Sequence, residues 1–313
     1  MHGKVAVLGG SGFLGTHVVH AFARKGYEVE GCSRASGVDA RDENSLLTYL
    51  RQAQPDMLIN CAHHGGGIAY NARNPVAIFE DNLLTGFNAL RAAAKSGVWK
   101  FVNLMGNSTY PGALDLHQES VWWNGALHPS VISSSMPRKA HWAQGWAHHH
   151  ETGFCSIHLV LPNLYGPGDH LEPTRSHALA ALLRKTWEAK QAGADRVEIW
   201  GTGKPIREWL YVEDAAEGIT LAAERYNDIE ILNLGSGQGC SIRELAEMIG
   251  EALDWRGRFV FDATRPDGAA CKVADVSRMK SALGWFPPTG LREGIRKTIA
   301  WFLSHSSCVL ATR

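Results

Sequence analysis

The stretch Lys4-Val5-Ala6-Val7-Leu8-Gly9-Gly10-Ser11-Gly12-Phe13-Leu14-Gly15 decides the fold. Its first part is a short apolar run, the pattern of a strand buried on both faces of a parallel sheet. Glycines follow, and then a helical pattern from Phe13 to Lys25. Glycine in such a place serves three ends: a tight turn, close backbone approach to a pyrophosphate, and close packing of helix on strand. The helix N-terminus adds N–H groups and the positive end of its dipole. The loop therefore predicts dinucleotide binding through Gly9, Ser11, Gly12, Phe13, Leu14 and Gly15.

Outward from this loop the chain alternates. Strand-like runs at Tyr27–Cys32, Met57–Cys61, Lys100–Met105 and Cys155–Leu161 are separated by helical patterns at Glu43–Ala53, Pro75–Ser96 and Pro137–Thr152. Such alternation predicts an α/β fold, a Rossmann-type doubly wound parallel sheet over residues 1–165. After Tyr165-Gly166-Pro167-Gly168 the rhythm loosens. Helices at Ser176–Gln191, Ser241–Leu253 and Leu291–Phe302, with a strand at Val197–Trp200, predict a smaller α+β lobe from 166–205 and 236–313. Residues 206–235 read as a strand-helix-strand pass returning to the first sheet.

Composition narrows the function classes. Apolar residues are 45% of the 313 and charged residues 20%, which excludes a disordered or fibrous chain. Lys plus Arg equals Asp plus Glu at 31 each, so no net charge draws the chain to nucleic acid or an anionic membrane. No apolar run approaches the roughly 18 residues of a spanning helix. The strand-like run at Lys4–Leu8, with no charged-then-apolar leader ahead of it, predicts a cytoplasmic protein. Six cysteines without a CxxC pair read as buried free thiols. His63-His64 and His148-His149-His150 are adjacent and would point apart on a helix, and His17/His20 have no third partner, so no metal site is expected.

Cofactor type is read where the second strand ends, Gly31-Cys32-Ser33-Arg34. An acidic residue there would bind a ribose 2′-hydroxyl, whereas Arg suits a 2′-phosphate. Glu30 comes too early, so Ser33 and Arg34 favour NADP(H) over NAD(H).

Further motifs lie along most of the chain. They are Gly66-Gly67-Ile68 with Asn71, Asn163-Leu164-Tyr165-Gly166-Pro167-Gly168-Asp169, Ser176-His177, Trp200-Gly201-Thr202-Gly203, Arg207-Glu208, Asn233-Leu234-Gly235, Phe261-Asp262, Pro266-Asp267-Gly268, Asp275-Val276-Ser277-Arg278 and Leu283-Gly284-Trp285. With them the chain resembles the extended short-chain dehydrogenase/reductases, the NAD-dependent epimerase/dehydratase family, and looks most like their GDP-L-fucose synthase branch. The resemblance implies an NADP-binding domain, a lobe that grips a GDP-sugar, and a homodimer. It implies Asp39 near the adenine, and Ala62, Leu161, Asn163 and Leu164 along the cofactor. For the substrate it points to Asn163, Lys185, Trp200, Arg207 and Asp267, cations for a diphosphate and an aromatic face for a base or sugar.

In that family Ser, Tyr and Lys carry the reductive chemistry, with Tyr and Lys stacked four apart on one helix face. Counting back from Asn163 without gaps places Ser134 at the Tyr position and Arg138 at the Lys position. A shift of one residue gives Ser135 and Lys139 instead, and both registers stand at this point. Gly106 falls at the Ser position, and Ser108 at that of a Cys involved in epimerisation. His177, its epimerisation partner, is kept. The resemblance thus implies an epimerase/reductase with an atypical site: His177 as main acid/base, and Ser108, Ser134, Ser135, Arg138 or Lys139 in support. The alternatives are a non-catalytic homologue that binds NADP and a nucleotide sugar, and a repurposed enzyme on an unusual GDP-sugar.

Overall fold

The structure is a computed structural model that describes residues 3–172, 176–265 and 267–309. Pro266, one of the motif residues above, and the Cys308 side chain lie outside the described residues.

The first part of the chain runs β1 (Lys4–Leu8), α1 (Phe13–Arg24), β2 (Glu28–Cys32), α2 (Glu43–Ala53), β3 (Met57–Asn60), α3 (Ile68–Arg73), α4 (Pro75–Lys95), β4 (Lys100–Gly106), β5 (Leu116–His117), α5 (Ile132–Thr152), β6 (Cys155–Leu161) and β7 (Asn163–Tyr165). It continues through α6 (Ala178–Gln191), β8 (Arg196–Trp200), β9 (Ile206–Tyr211), α7 (Val212–Arg225), β10 (Leu232–Asn233), β11 (Gly239–Ser241), α8 (Ile242–Ala252), β12 (Arg258–Asp262), β13 (Cys271–Ala274), α9 (Ser277–Leu283) and α10 (Leu291–Val309).

A six-stranded parallel sheet has the order β10-β6-β4-β3-β1-β2. The order reverses direction between β1 and β3, which opens a crevice at their carboxyl ends where ligands of such sheets bind. The alternation within β1 explains why both faces are covered. Val5 and Val7 join Val18, Phe22 and Ile219 beneath α1 and α7, while Ala6 and Leu8 join Leu46, Leu50 and Leu90 beneath α2 and α4. Each large side chain fully buried there contributes about 1.5–3 kcal/mol.

A second core, with Leu179, Leu183, Val197, Ile199, Trp209, Leu245, Ile249 and Phe302, gathers α6, α8 and α10. It sits against a sheet ordered β11-β9-β13-β5, with β7 also pairing β9, and a parallel β8/β12 pair. The segment 206–235 divides between the two bodies. Strand β9 belongs to the second sheet, α7 packs on α1, and β10 completes the six-stranded sheet beside β6.

Helix α5 departs from expectation by starting at Ile132 rather than at Pro137. A 3-10 turn at Pro129–Val131 leads into it, and Pro137 lies inside the helix, where it forgoes the amide bond to the Ser133 carbonyl. Cys32, Cys61, Cys155, Cys240 and Cys271 are free thiols, of which Cys32 and Cys240 are buried and the others half-buried. Among the described residues no helix is long and apolar enough to cross a membrane, and no three His, Cys, Asp or Glu side chains converge.

Candidate active site

At the carboxyl end of β1 the glycine loop closes on itself. Gly9 has φ +77° and donates to the Cys32 carbonyl (2.8 Å), while Gly12 donates back to Gly9 (2.9 Å). A Cβ on Gly9 would lie 2.8 Å from the Ala62 nitrogen, and one on Gly15 would collide with the Gly9 carbonyl. Loop, β3 end and α1 are locked together by the absence of side chains. Gly12 caps α1 without a side-chain acceptor, so the first-turn N–H groups of Phe13 and Leu14 are aimed at the crevice as an anion site.

The rim of the cradle is polar. Ser11 Oγ donates to Ser33 Oγ (3.1 Å), tying the loop to the end of β2, and the exposed Arg34 begins the 3-10 turn that follows. Asp39 is held by Arg41 (2.7 Å), which also reaches Asp81 (3.2 Å); the guanidinium keeps the Asp39 carboxyl below the usual range. Farther along, Leu161 ends β6, Leu164 packs on the first core, and Asn163 Nδ2 donates to the Glu208 carbonyl (3.0 Å). These residues fit a dinucleotide: among the described residues the loop at the end of β1 is kept close to Ala62 by glycines, and the exposed Arg34 follows the end of β2.

Beyond the cradle, β4 ends at Gly106 against α5. A Cβ on Gly106 would lie 2.9 Å from Arg138 Nη1 and 3.5 Å from Ser108 Oγ, so the guanidinium occupies the space a side chain at 106 would need. Burial pushes Arg138 down to about 10, and it stays charged at neutral pH. Ser135 Oγ donates to Ser108 Oγ (2.9 Å).

Two of the candidate residues point elsewhere. Ser134 donates to the Val131 carbonyl (3.2 Å) in its own helix turn. Lys139 is buried, donates to the Trp122 carbonyl (2.6 Å), and sits over the Trp122 and Trp123 rings at 3.9 and 4.1 Å. Adjacent helical residues project about 100° apart, so Arg138 and Lys139 cannot share a face. Ser135 and Arg138 thus stand beside Ser108 and Gly106, while Ser134 and Lys139 are turned away, so neither counted register brings both of its residues there. Trp142 packs edge-on against the Trp122 and Trp123 rings, while Trp146 is exposed and its ring lies 4.0 Å from that of His150.

The facing wall is built from the loop after β3 and the start of α6. A Cβ on Gly67 would lie 3.1 Å from the Ser176 carbonyl, which brings the 65–67 loop against His177. His177 is exposed at the N-terminus of α6, yet the walls around it, and His170, hold its imidazole below the ordinary value. His63 also opens to the cleft, and Asn82 on α4 receives its Nδ1 at 2.8 Å. His64 bridges Asp81 and Tyr70, each at 2.8 Å. The reading of the sequence passed over His63. Its signal is an imidazole between the end of β3 and Gly65-Gly66-Gly67, two residues ahead of the first of these glycines.

In the second lobe the substrate candidates cluster at the β8–β9 turn. Trp200 is 66% exposed and offers a ring face. Asp267 accepts from Thr202 N (2.9 Å) and Oγ1 (2.6 Å). Arg207 donates to the Ile206 carbonyl (2.7 Å) and lies near Gly268, and Lys185 donates to the Glu198 carbonyl (3.3 Å).

Known proteins resemble this chain in sequence and in fold. The sequence profile of the NAD dependent epimerase/dehydratase family matches residues 5–235. GDP-L-fucose synthase 1 of Arabidopsis thaliana is 33% identical over 303 residues, covering 96% of this chain and 94% of its own. The GDP-L-fucose synthase of Escherichia coli K12 is 30% identical, covering 96% and 97%. Among solved structures, a GDP-6-OMe-4-keto-L-xylo-heptose reductase from C. jejuni superposes with a TM-score of 0.89 at 23% identity, covering 97% of this chain and 98% of its own. A GDP-L-fucose synthetase from Naegleria fowleri bound to NADP superposes at 0.88 and 24%, covering 97% and 95%. The two structures share the fold.

Proposed function

The chain belongs to the NAD dependent epimerase/dehydratase family, and from that membership we propose a cytoplasmic, NADP(H)-dependent epimerase/reductase of a GDP-sugar whose acid–base wall lacks the family's phenol. The observation that carries the reading is that likeness to GDP-L-fucose synthases runs through both bodies, 96% of the chain, and not through the cofactor half alone. Residues 1–165 with 206–235 would then serve the cofactor, and 166–205 with 236–313 the sugar nucleotide.

Ser11, Ser33 and Arg34 would hold the 2′-phosphate end, the glycine loop and first turn of α1 the pyrophosphate, and Leu161 to Leu164 the nicotinamide side. The bound nicotinamide supplies hydride chemistry at the sugar. Trp200, Arg207, Lys185 and Asp267 would bind the base and diphosphate. At the sugar, Arg138 donates to a carbonyl oxygen as negative charge develops there, and His177 moves a proton at the neighbouring carbon. His177→Ala is expected to abolish sugar conversion while NADPH titration by fluorescence remains as in the native protein.

A second reading is a silent homologue that binds both ligands. It is favoured by Ser134, whose hydroxyl is spent on Val131, and by Lys139, sequestered among tryptophans. Incubation with NADPH and GDP-4-keto-6-deoxymannose, followed by the absorbance of the reduced nicotinamide, separates the two. Oxidation supports the reductase reading. Binding of both ligands without oxidation, and without isotope exchange at the sugar, would retire it in favour of the silent one.

The exposed apolar residues Val76, Leu84 and Phe87 on α4 and Ile132, Met136 and Trp146 on α5 supply a face for a homodimer. Sedimentation at micromolar concentration as a monomer would remove that part of the proposal.

A further inference from the structure

His63 is held in one tautomer by a partner whose own orientation is fixed. Asn82 is buried, and its Nδ2 donates to the carbonyls of His64 and Ile78, both at 2.7 Å. Its Oδ1 accepts from the His64 amide at 2.9 Å. The amide therefore cannot turn over, and the His63 Nδ1 facing Oδ1 at 2.8 Å must carry the proton. The lone pair is left on Nε2, and among the described residues nothing bonds it. Gly65 keeps the space before it open, since a Cβ at that position would stand 2.5 Å from Nε2.

The loop that carries Gly65 abuts the start of α6, where a Cβ on Gly67 would lie 3.1 Å from the Ser176 carbonyl beside His177, and Arg138 and His177 both act electrostatically on His63. Inversion beside a ketone needs a proton acceptor on one face of the carbon and a donor on the other. Ser108 and Ser135 are occupied with each other, and an aliphatic hydroxyl accepts no proton at neutral pH. The cleft walls, Arg138 and His177 keep the His63 imidazole neutral, well below its ordinary 6.5.

We propose that His63 is the second acid–base residue of this site, its Nε2 taking the proton from the carbon beside the sugar ketone while His177 serves the opposite face. The inference rests on the ketosugar reading above. The C–H bond breaks as Nε2–H forms, and the electron pair passes through the new C=C bond to the ketone oxygen, held as an enolate by Arg138. His177 then returns a proton to the other face, water exchanges protons with the two imidazoles, and no net oxidation occurs.

The test is deuterium incorporation from D2O into GDP-4-keto-6-deoxymannose by the NADP-loaded protein, read by NMR, with 15N spectra of the imidazoles alongside. His63→Gln is expected to slow incorporation by about 100-fold, with NADPH and GDP-sugar affinities held within about twofold. Gly65→Ala, which leaves the imidazole in place and crowds Nε2, is expected to slow it by about tenfold or more. In the native protein His63 is expected as the Nδ1–H tautomer, and Asn82→Ala to release that preference. Incorporation by His63→Gln within about threefold of native, or a native Nε2–H tautomer, overturns the role and leaves the ketosugar reading standing. A native protein that incorporates no deuterium, with the Nδ1–H tautomer present, overturns the ketosugar reading and this role with it.

Discussion

The two ends of the cleft are built from different material. At the cofactor end the contacts are backbone on backbone: Gly9 against Ala62, and Gly15 against Gly9. At the reaction end side chains make them: Arg138 over the bare backbone of Gly106, Ser135 on Ser108, His63 on Asn82. A site made by excluding side chains tolerates almost no change. A site made from side chains can be re-equipped while the same strands and helices carry it, which is how fold and chemistry come apart.

The comparison can be broken most severely at Gly15. Gly15→Ala drives a Cβ into the Gly9 carbonyl, with an expected cost of about 1–3 kcal/mol in denaturant unfolding and loss of measurable NADPH binding. Retained binding would mean that the cradle is not set by backbone contact.

At the other end, Gly106→Ser would place its Cβ 2.9 Å from Arg138 Nη1. The guanidinium must move, and sugar conversion is expected to fall by about 100-fold, the usual worth of one donor to a developing oxyanion, with cofactor affinity unchanged. Equal losses in both readouts would erase the distinction between the ends.

Arg34→Ala sharpens the cofactor side. Loss of one charge-assisted contact should lower the preference for NADPH over NADH by about tenfold, roughly 1.4 kcal/mol, as measured by titration with each dinucleotide.

The smallest effect is one of stability, away from both ends. Burial raises the Asp169 carboxyl from 3.8 to about 7, with the His170 amide on its Oδ1. Between those values the folded protein keeps a proton that the unfolded chain has lost, so stability falls as pH rises through this window. Asp169→Asn is expected to flatten that fall and to raise the Tm by a few °C at pH 8, with little change near pH 4.

What the sequence discloses follows the same division. The glycine loop and strands β1, β4 and β6 are legible because their periodicity and glycine content have one physical reading. The start of α5 is not, since Pro137 reads as a boundary and only the 3-10 turn at Pro129–Val131 reveals an earlier one. β12 and β13 are short and half-buried, which leaves little pattern. In the site, the choice between Ser135 with Lys139 and Ser134 with Arg138 turned on rotation about one helix, which a count along the chain cannot supply. Asn233 and Glu208, which entered as motif residues, are buried in structural bonds. Asn233 joins Tyr110, His117 and Asp275, and Glu208 joins Gly237 and Ala274. Likeness at such positions speaks for architecture first. His63 was hidden for the opposite reason, because its meaning depends on the amide of Asn82 from a different helix.

The cage around Lys139 gives the molecule an optical readout of its own cleft. Arg138 and Lys139 are consecutive on one rigid helix, so a turn of α5 that carries the guanidinium toward a ligand must also carry the ammonium across the Trp122 and Trp123 rings. Indole emission responds to the distance of a nearby charge. Ligand arrival at the reaction end is therefore expected to register as a shift in intrinsic fluorescence without any label, and Lys139→Met should silence it while the cleft still fills.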